Sequence, residues 1–516
     1  MQNYEEIREE FSKKLEPIQI MVEKTCWDFY TNSTDENMQK FQQSVDERST
    51  LFQDKNFYEK LNSVDSKSLS KHDQKQLKDL LREFDEEINS GDELKDLRDK
   101  ENEIAQKFNS YVPKIDGQEV TKTEITKILQ TEENPEIRKK AYEAKINGGD
   151  LIADDLIEFF KMRNNYAKKK GYENYFEYQL KEVYDVDLNY LEKLIEELYT
   201  KSKEQIREIQ NTQYKELKEF YKIEKLQSYH YGLLLNSNPS KSVNEALSKY
   251  PCEIVEKITK KTYAGMGYDI DEMVNNGKLT LDLYPRKNKN THGFCFGVEA
   301  GKDSRILANL TNNVISIDTL NHEMGHVIYD LGISTELQFL DKQPSSSAMT
   351  EAIAMMMGDI MKKEDILKEF ISQELLYKFK LSHRKDEANF VSRSLLIIEF
   401  EREIYKNPEK NPKELWKNLV KKYLNRDEAL TNEWATIPHY LSHPAYYQNY
   451  FRANIMKAQI YNYLKSVLGN ITENKSTAEF LNKNIFSVGA TIDENDLIKQ
   501  LTGKELSSDD FFLNLL

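Results

Sequence analysis

The sequence is short of the residues that interrupt helices. It contains 18 glycines and 11 prolines in 516 residues, whereas average usage is roughly 7% glycine and 5% proline. The few clusters of turn-forming residues are short, and none forms a low-complexity linker. This scarcity, together with abundant Lys, Glu and Leu, predicts a chain built from long helices.

Cysteine is also rare. Cys26, Cys252 and Cys295 are scattered, odd in number and without a CxxC spacing, which fits a reducing compartment better than a disulfide framework. The first residues carry acidic side chains and lack the apolar stretch of a secretory signal. The longest apolar runs, such as Leu395–Ile398, are far shorter than the roughly 18 residues of a membrane helix. We therefore expect a cytoplasmic protein with no membrane partner.

The chain has no excess of positive charge. It carries 73 Lys and Arg against 88 Asp and Glu, a net charge of −15, and nucleic-acid binding requires a basic surface. We therefore expect no nucleic-acid partner. Hydrophobic residues make up 39% of the chain, too many for a disordered protein, and the length allows a large buried core.

Apolar residues at steps of three and four predict amphipathic helices. One stripe consists of Tyr4, Ile7, Phe11, Leu15, Ile18 and Val22, and another follows Asp187 with Leu191, Leu194, Ile195, Leu198, Ile206 and Ile209. We predict a mainly α fold in which residues 1–516 form a single catalytic unit of two interleaved lobes.

In three short runs between residues 278 and 310, apolar and polar residues alternate, which is typical of strands and not of helices. They are Lys278–Tyr284, His292–Val298 and Ser304–Leu310, and they predict a small sheet immediately before a helix. Such a sheet either holds a substrate backbone as an added strand or is a hairpin that packs on the core. The sequence alone favours neither reading.

Residues 322–326 read His-Glu-Met-Gly-His. On a helix, positions i and i+4 share one face, so His322 and His326 can bind one metal ion. Glu323 then lies where it can take a proton from a water molecule that the metal binds. Asp318 or Thr319 is expected to cap this helix. The alternative is a histidine pair with a purely structural role.

A catalytic zinc ion requires a third protein ligand, and Glu351 is the candidate. Serine and threonine residues ahead of it favour a helix start, and the apolar run Ile353–Met357 predicts that this helix is buried. A carboxylate buried to that degree requires a cation, which a metal would supply. Read alone, Glu351 is an ordinary first-turn glutamate; the motif 25 residues earlier favours the ligand.

Donors for an oxyanion and for substrate carbonyls are a further requirement of peptide hydrolysis at zinc. The segment around residues 437–450 offers His439, His443, Tyr447 and Tyr450. Tyrosines at this spacing are also common in helix cores, so the segment by itself establishes little.

The stretch from His292 to His326, with Gly301–Ile306 ahead of the motif, resembles the angiotensin-converting enzyme family of zinc peptidases, and Thr350–Ala354 resembles its third-ligand helix. More broadly, the chain is similar to the helical peptidases that include thimet oligopeptidase and oligoendopeptidase F. The resemblance is specific over about 279–358 and 437–460, with an echo in Arg163–Ala167. It implies a two-lobed gluzincin fold with a deep central channel, residues 1–240 as the helical lid and residues 241–516 as the zinc-binding lobe.

Residue by residue, the resemblance implies one Zn²⁺ per chain held by His322, His326 and Glu351, with Glu323 as the general base. Helical lobes that enclose such a site would exclude folded proteins, so we expect short peptides as substrates, and we expect a monomer or weak oligomer as the working form.

For substrate contacts, the resemblance implies that His292 holds a peptide carbonyl and that Tyr450 stabilises the oxyanion. Tyr447 would lie near the C-terminal side of the substrate. The family's histidine before these tyrosines matches His439 best, as a catalytic residue, and His443 remains open as a substrate-binding one.

Two departures from the family pattern bear on activity. Met355 stands where an aspartate supporting a ligand histidine is expected, so Asp359 or Asp318 would have to replace it. Ile437 and Pro438 occupy the place of the cation that would bind a C-terminal carboxylate. The expected function is zinc-dependent hydrolysis of short oligopeptides; the alternatives are a metallocarboxypeptidase, a peptidyl-dipeptidase and a non-catalytic peptide-binding protein.

Overall fold

The computed structural model describes residues 3–515 except residues 90, 236, 291 and 428. The helices before residue 250 are α1 (Tyr4–Thr31), α2 (Asp35–Phe52), α3 (Lys55–Asn62), α4 (Lys71–Asn89), α5 (Gly91–Asn109), α6 (Lys122–Thr131), α7 (Pro135–Asp150), α8 (Ala153–Lys169), α9 (Tyr175–Tyr178), α10 (Leu188–Tyr221) and α11 (Pro239–Leu247). Those that follow are α12 (Ile254–Met266), α13 (Ile270–Asn275), α14 (Val314–Gly332), α15 (Ser347–Lys363), α16 (Gln373–Lys406), α17 (Pro412–Leu424), α18 (His439–Ser442), α19 (Tyr447–Leu468), α20 (Ser476–Leu481), α21 (Glu494–Thr502) and α22 (Asp509–Leu515). The strands are β1 (Lys114–Ile115), β2 (Gln118–Glu119), β3 (Leu279–Asp282), β4 (Phe294–Glu299) and β5 (Asp303–Leu307).

The predicted mainly α fold is confirmed, and local chemistry explains its longest helices. The apolar stripe from Tyr4 lies on α1, which begins after an Asn3 cap whose side chain accepts the Glu6 N–H. The stripe after Asp187 lies on α10, and the Asp187 side chain accepts the Tyr190 N–H at its start. An oxygen at the N-cap satisfies a donor that the helix itself leaves unpaired. None of the described helices is both long enough and apolar enough to cross a membrane.

The chain forms two compact units that interleave along the sequence. The first unit comprises Met1–Gly91, Ser242–His383 and Arg452–Phe511, and the second comprises Asp92–Lys241, Arg384–Phe451 and Phe512–Leu516. The predicted lobes, 1–240 and 241–516, are continuous stretches that each contain parts of both units. Their assignment as lid and catalytic lobe concerns function and stays a prediction.

The first unit contains the predicted small sheet, with strand order β3-β5-β4. β3 runs parallel to β5, and β4 runs antiparallel to it with Phe294 opposite Leu307. Phe294 and Phe296 on β4 pack against Trp27 and Tyr30 of α1. β4 is therefore one of the two edge strands of this sheet, and an aromatic cluster holds it against α1.

Two helices at the centre of the first unit, α14 and α15, cross closely. A side chain at Gly325 of α14 would place its Cβ 2.7 Å from the Cα of Ala354 on α15, so only glycine permits this approach. The prediction that Asp318 or Thr319 caps α14 is wrong, because the helix begins at Val314 after an Asn313 cap. A polar residue inside a helix can resemble a cap when the true cap lies one turn earlier.

The start of α15 is fixed by a buried ion pair. Ser346 caps the helix by accepting the Met349 N–H at 3.0 Å, and its hydroxyl donates to the Glu494 carboxylate. The same carboxylate pairs with Arg452, whose side chain is almost fully buried. These contacts link the N-terminus of α15 to α19 and α21.

The second unit contains an aromatic core built on α8 and α16. Phe400 packs on Trp434 and Tyr440 with ring centroids 5.2 and 5.4 Å away, and Phe160 packs on Tyr405 at 4.9 Å. All five rings are buried. This core lies beneath the segment that carries α18 and the first turn of α19.

Candidate metal centre and catalytic residues

The three predicted metal ligands converge in the first unit. His322 and His326 lie one turn apart on α14, and Glu351 projects from the first turns of α15. Glu351 Oε2 is 3.6 Å from His322 Nε2 and 4.0 Å from His326 Nε2, and all three ligand atoms lie within 4.8 Å of one another. Tetrahedral zinc with bonds near 2.0–2.1 Å requires donors about 3.3–3.4 Å apart, so small side-chain adjustments suffice.

Both imidazoles are in the neutral form that binds a metal cation. Burial lowers the pKa of His322 to about 4 and that of His326 to about 3, so both rings are neutral at pH 7. His326 Nδ1 lies 2.8 Å from the Thr350 hydroxyl. If Nδ1 carries the proton and donates it to the Thr350 hydroxyl, the Nε2 lone pair that faces Glu351 is left for a metal. Sequence reasoning missed this role of Thr350.

Asp359, one of two proposed replacements for the missing aspartate, supplies negative charge near His322. Its carboxylate pairs with the buried ammonium of Lys457, whose positive charge holds the pKa of Asp359 below its usual value although burial opposes this. The Asp359 charge in turn acts to raise the pKa of His322. The other candidate, Asp318, lies against Gly358, where an added Cβ would be 2.6 Å from its Oδ1.

Glu323 occupies a buried position beside the ligands. Burial raises its pKa to about 8, and the charge of Glu351 acts in the same direction. The backbone N–H of Cys295 on β4 donates to its carboxylate. An added Cβ at Gly293 would lie 3.5 Å from Glu323 Oε1, an ordinary contact, but only 2.9 Å from Thr319 Cγ2. A carboxyl group with a pKa near neutrality suits proton transfer at physiological pH.

His292 lies two residues before β4 and is exposed. Its backbone N–H donates to Asn290 Oδ1 at 2.9 Å, and its ring centroid is 6.1 Å from that of Phe294. The strand that positions Glu323 therefore also presents His292, with its side chain accessible to a ligand.

The other predicted site residues cluster in the second unit. The ring of His439 lies 4.9 Å from Tyr447 and 6.0 Å from Tyr450, and the two tyrosine rings are 5.5 Å apart. His443 Nδ1 lies 2.7 Å from the Ser442 hydroxyl, and its ring contacts the rings of Tyr446 and His439. Burial and the neighbouring His443 lower the pKa of His439 to about 4, so its ring is neutral and can donate one N–H.

A buried arginine holds the short helix α18. Arg163 Nη1 donates to the Tyr440 carbonyl at 2.7 Å, and Nη2 donates to the Leu441 carbonyl at 2.5 Å. Nη1 also contacts the Tyr405 hydroxyl at 3.2 Å. The weaker resemblance at Arg163–Ala167 thus has a structural explanation, because the Arg163 guanidinium fixes the backbone that follows His439.

A buried carboxyl group fixes the turn between α18 and α19. Glu401 accepts the Ala445 N–H at 2.8 Å, and Ala445 has a φ of +58°, which a non-glycine residue rarely adopts. Burial raises the pKa of Glu401 to about 8, and Arg163 opposes the shift. The phenol groups of Tyr184, Tyr405 and Tyr440 also face this carboxyl group.

This shift predicts a pH-dependent stability that Glu401→Gln removes. Between pH 4.5 and about 8 the folded chain keeps a proton that the unfolded chain has lost, so stability falls as pH rises through this range. The full difference corresponds to at most about 5 kcal/mol. Glutamine can still accept the Ala445 N–H and does not ionise. We expect the Tm of Glu401→Gln minus the Tm of wild type, both measured by circular dichroism, to increase between pH 5 and pH 8.5. A difference that stays constant over this range would contradict the raised pKa of Glu401.

Comparison with known proteins places this chain among peptidases. Residues 128–515 match the family model described as Peptidase family M3, and residues 2–243 match the model described as Angiotensin-converting enzyme. The chain is 25% identical over 381 residues to a protein of Borreliella burgdorferi named Oligoendopeptidase F homolog. That alignment covers 70% of this chain and 61% of the relative, so the chain spans less than two thirds of the relative's length.

Proposed function

The chain belongs to peptidase family M3, and on this premise we propose that it is a zinc metallopeptidase that hydrolyses peptide bonds in short oligopeptides. The observation that carries the proposal is the convergence of two neutral imidazoles and one carboxylate beside the buried acid Glu323. A His₂Glu donor set is typical of catalytic zinc and leaves a fourth position open. Zinc bound there would acidify water and polarise a carbonyl group.

Glu323 acts as general base and then as general acid in this proposal. Its carboxylate takes a proton from the attacking water and returns it to the amine that leaves. The Cys295 N–H holds the carboxylate in place during both transfers. A cation held by the adjacent ligands would favour the ionised form of Glu323 and would offset the effect of burial on its pKa.

The proposal also assigns residues that contact the substrate. The exposed imidazole of His292 binds a peptide carbonyl, while the hydroxyl of Tyr450 and the N–H of His439 stabilise the oxyanion. His443 and Tyr447 contact the peptide further along. The ring contacts of His439 with both tyrosines support its pairing with them in preference to His443.

Metal analysis and product analysis together test the proposed function. The purified chain should hold about one zinc ion, lose peptide cleavage after chelation and regain it when zinc is restored. Mass spectrometry of products from a mixed peptide library, with and without chelator, identifies the bonds that are cut. A chain that binds no zinc and cleaves no peptide would refute the proposal, and a chain that binds zinc and peptide without cleavage would favour a binding protein.

Peptides with free and amidated C-termini distinguish the modes of cleavage. A carboxypeptidase or peptidyl-dipeptidase needs the free carboxylate and should not act on the amide. An oligopeptidase that cuts internally should cleave both peptides. The position of the cut then separates release of single residues from release of dipeptides.

Replacing Tyr450 by phenylalanine should lower kcat by about 10²–10³-fold, since this is the usual effect of losing one oxyanion donor. Because the hydroxyl would act mainly in the transition state, KM should change little. Steady-state kinetics on a fluorogenic peptide measure both constants. Tyr446→Phe is the matched control, since Tyr446 belongs to the same ring cluster without a proposed catalytic role; equal losses in the two variants would contradict the assignment.

A further inference from the structure

One face of α16 lies beneath the segment that carries α18 and α19. The carbonyl of Ile397 accepts the Tyr440 hydroxyl at 3.1 Å, and Glu401 accepts the Ala445 N–H. Positions i and i+4 on a helix lie one turn apart on the same face. Arg393 therefore belongs to this face, one turn before Ile397.

Arg393 differs from the other members of this face in being exposed. Ile397 and Glu401 are at most 2% exposed, whereas the Arg393 side chain is open to solvent. Its positive charge acts on the phenol of Tyr447, opposing the rise in pKa that burial causes there. The guanidinium is therefore an accessible cation close to Tyr447, whose ring packs with His439 and Tyr450.

The charge of Arg393 is not neutralised locally. Among the described residues, no carboxylate lies within ion-pair distance of its guanidinium. Its charge also acts on Glu433, but that carboxylate is bound by Lys145 at 2.8 Å and contacts the Tyr142 hydroxyl at 3.4 Å. A guanidinium offers a planar pair of donors that matches a carboxylate.

We infer that Arg393 binds a carboxylate of the peptide substrate, beside the position at which Tyr447 contacts the peptide. This inference rests on the proposed function and adds a specificity-determining residue to it. The carboxylate belongs either to the C-terminus of the peptide or to an Asp or Glu side chain.

Two pairs of short peptides test the inference with the full-length zinc-loaded enzyme. One pair differs only in a free or amidated C-terminus, and the other only in Glu or Gln at one position close to the cleaved bond. Arg393→Gln should lower kcat/KM for the preferred acidic peptide by about 10–100-fold, mainly through KM, and change the neutral partner less than about twofold. The pair that shows the difference identifies the source of the carboxylate.

Two further variants separate recognition from folding. Arg393→Lys should restore part of the preference, because the charge remains although the planar donor pair is lost. Lys406→Gln removes another exposed cation of α16 and should leave the preference unchanged. Equal losses for acidic and neutral peptides, or no loss for either, would overturn the inference.

Failure of the proposed function would look different. If wild-type protein cleaved none of the four peptides, fluorescence anisotropy with labelled copies would still measure their binding. Tighter binding of an acidic peptide that disappears in Arg393→Gln would support the carboxylate site without catalysis. Equal affinities of wild type and Arg393→Gln for every peptide would overturn it.

Discussion

Glu323→Gln should lower kcat by about a thousandfold while the chain keeps its zinc and its affinity for peptides, since general acid–base catalysis contributes roughly 10²–10⁴-fold. Glutamine has nearly the same shape and can still accept the Cys295 N–H, but it cannot take up a proton. Burial, which raises the pKa of Glu323, is no longer a cost when the group is an amide. The variant should therefore fold at least as stably as wild type without metal.

Three measurements on one sample separate catalysis from binding in this variant. Metal analysis gives the zinc content, anisotropy gives peptide affinity, and single-turnover kinetics give the chemical step. Glu364→Gln is the matched control, because Glu364 is a buried carboxylate of the first unit that contacts Tyr461 and Lys465 at 2.8 and 2.9 Å. Loss of zinc from Glu323→Gln, or near-normal turnover, would contradict its role as the base.

The features predicted from sequence are those that neighbouring residues determine. Helical stripes, the three strands and the pairing of His322 with His326 depend on periods of 3.6 and 2.0 residues. These periods act over a few residues and can be read directly. The start of α14 was misplaced because Asn313 and Asp318 are both plausible caps, and the choice depends on packing of the preceding turn.

The unpredicted parts of the site are tertiary contacts. Thr350 is adjacent in sequence to a predicted ligand, yet its hydrogen bond to His326 depends on how α14 and α15 cross at Gly325. The Asp359–Lys457 pair joins residues almost a hundred positions apart. No spacing rule connects such positions, because loop length between helices does not determine which faces meet.

Arg393 is another residue whose distance from the candidate site cannot be predicted from its position in the sequence. A search for a cation next to His439 in sequence finds Ile437 and Pro438. The cation that we propose in this role lies on α16, where the contacts of Ile397 and Glu401 indicate which face is relevant. A side chain that recognises substrate needs proximity in space, which distant sequence positions supply as readily as neighbouring ones.

Glu351→Ala should weaken zinc binding by roughly a thousandfold or more and abolish turnover in stoichiometric zinc. Losing a residue that only supports a ligand typically costs 10–100-fold in metal affinity, and losing a ligand itself costs more. The metal-free chain should tolerate the change, because the Glu351 charge acts unfavourably on Glu323 in the absence of a cation. Competition with a chromogenic chelator measures the affinity directly.

Thermal unfolding with added zinc gives an independent test of the same ligand. A cation that binds only the folded chain stabilises it by about 4 kcal/mol at a free concentration a thousand times its Kd. Zinc should therefore raise Tm of wild type, Glu323→Gln and Glu364→Gln, but not of Glu351→Ala at the same concentration. If Glu351→Ala showed the full increase, the third ligand would lie elsewhere.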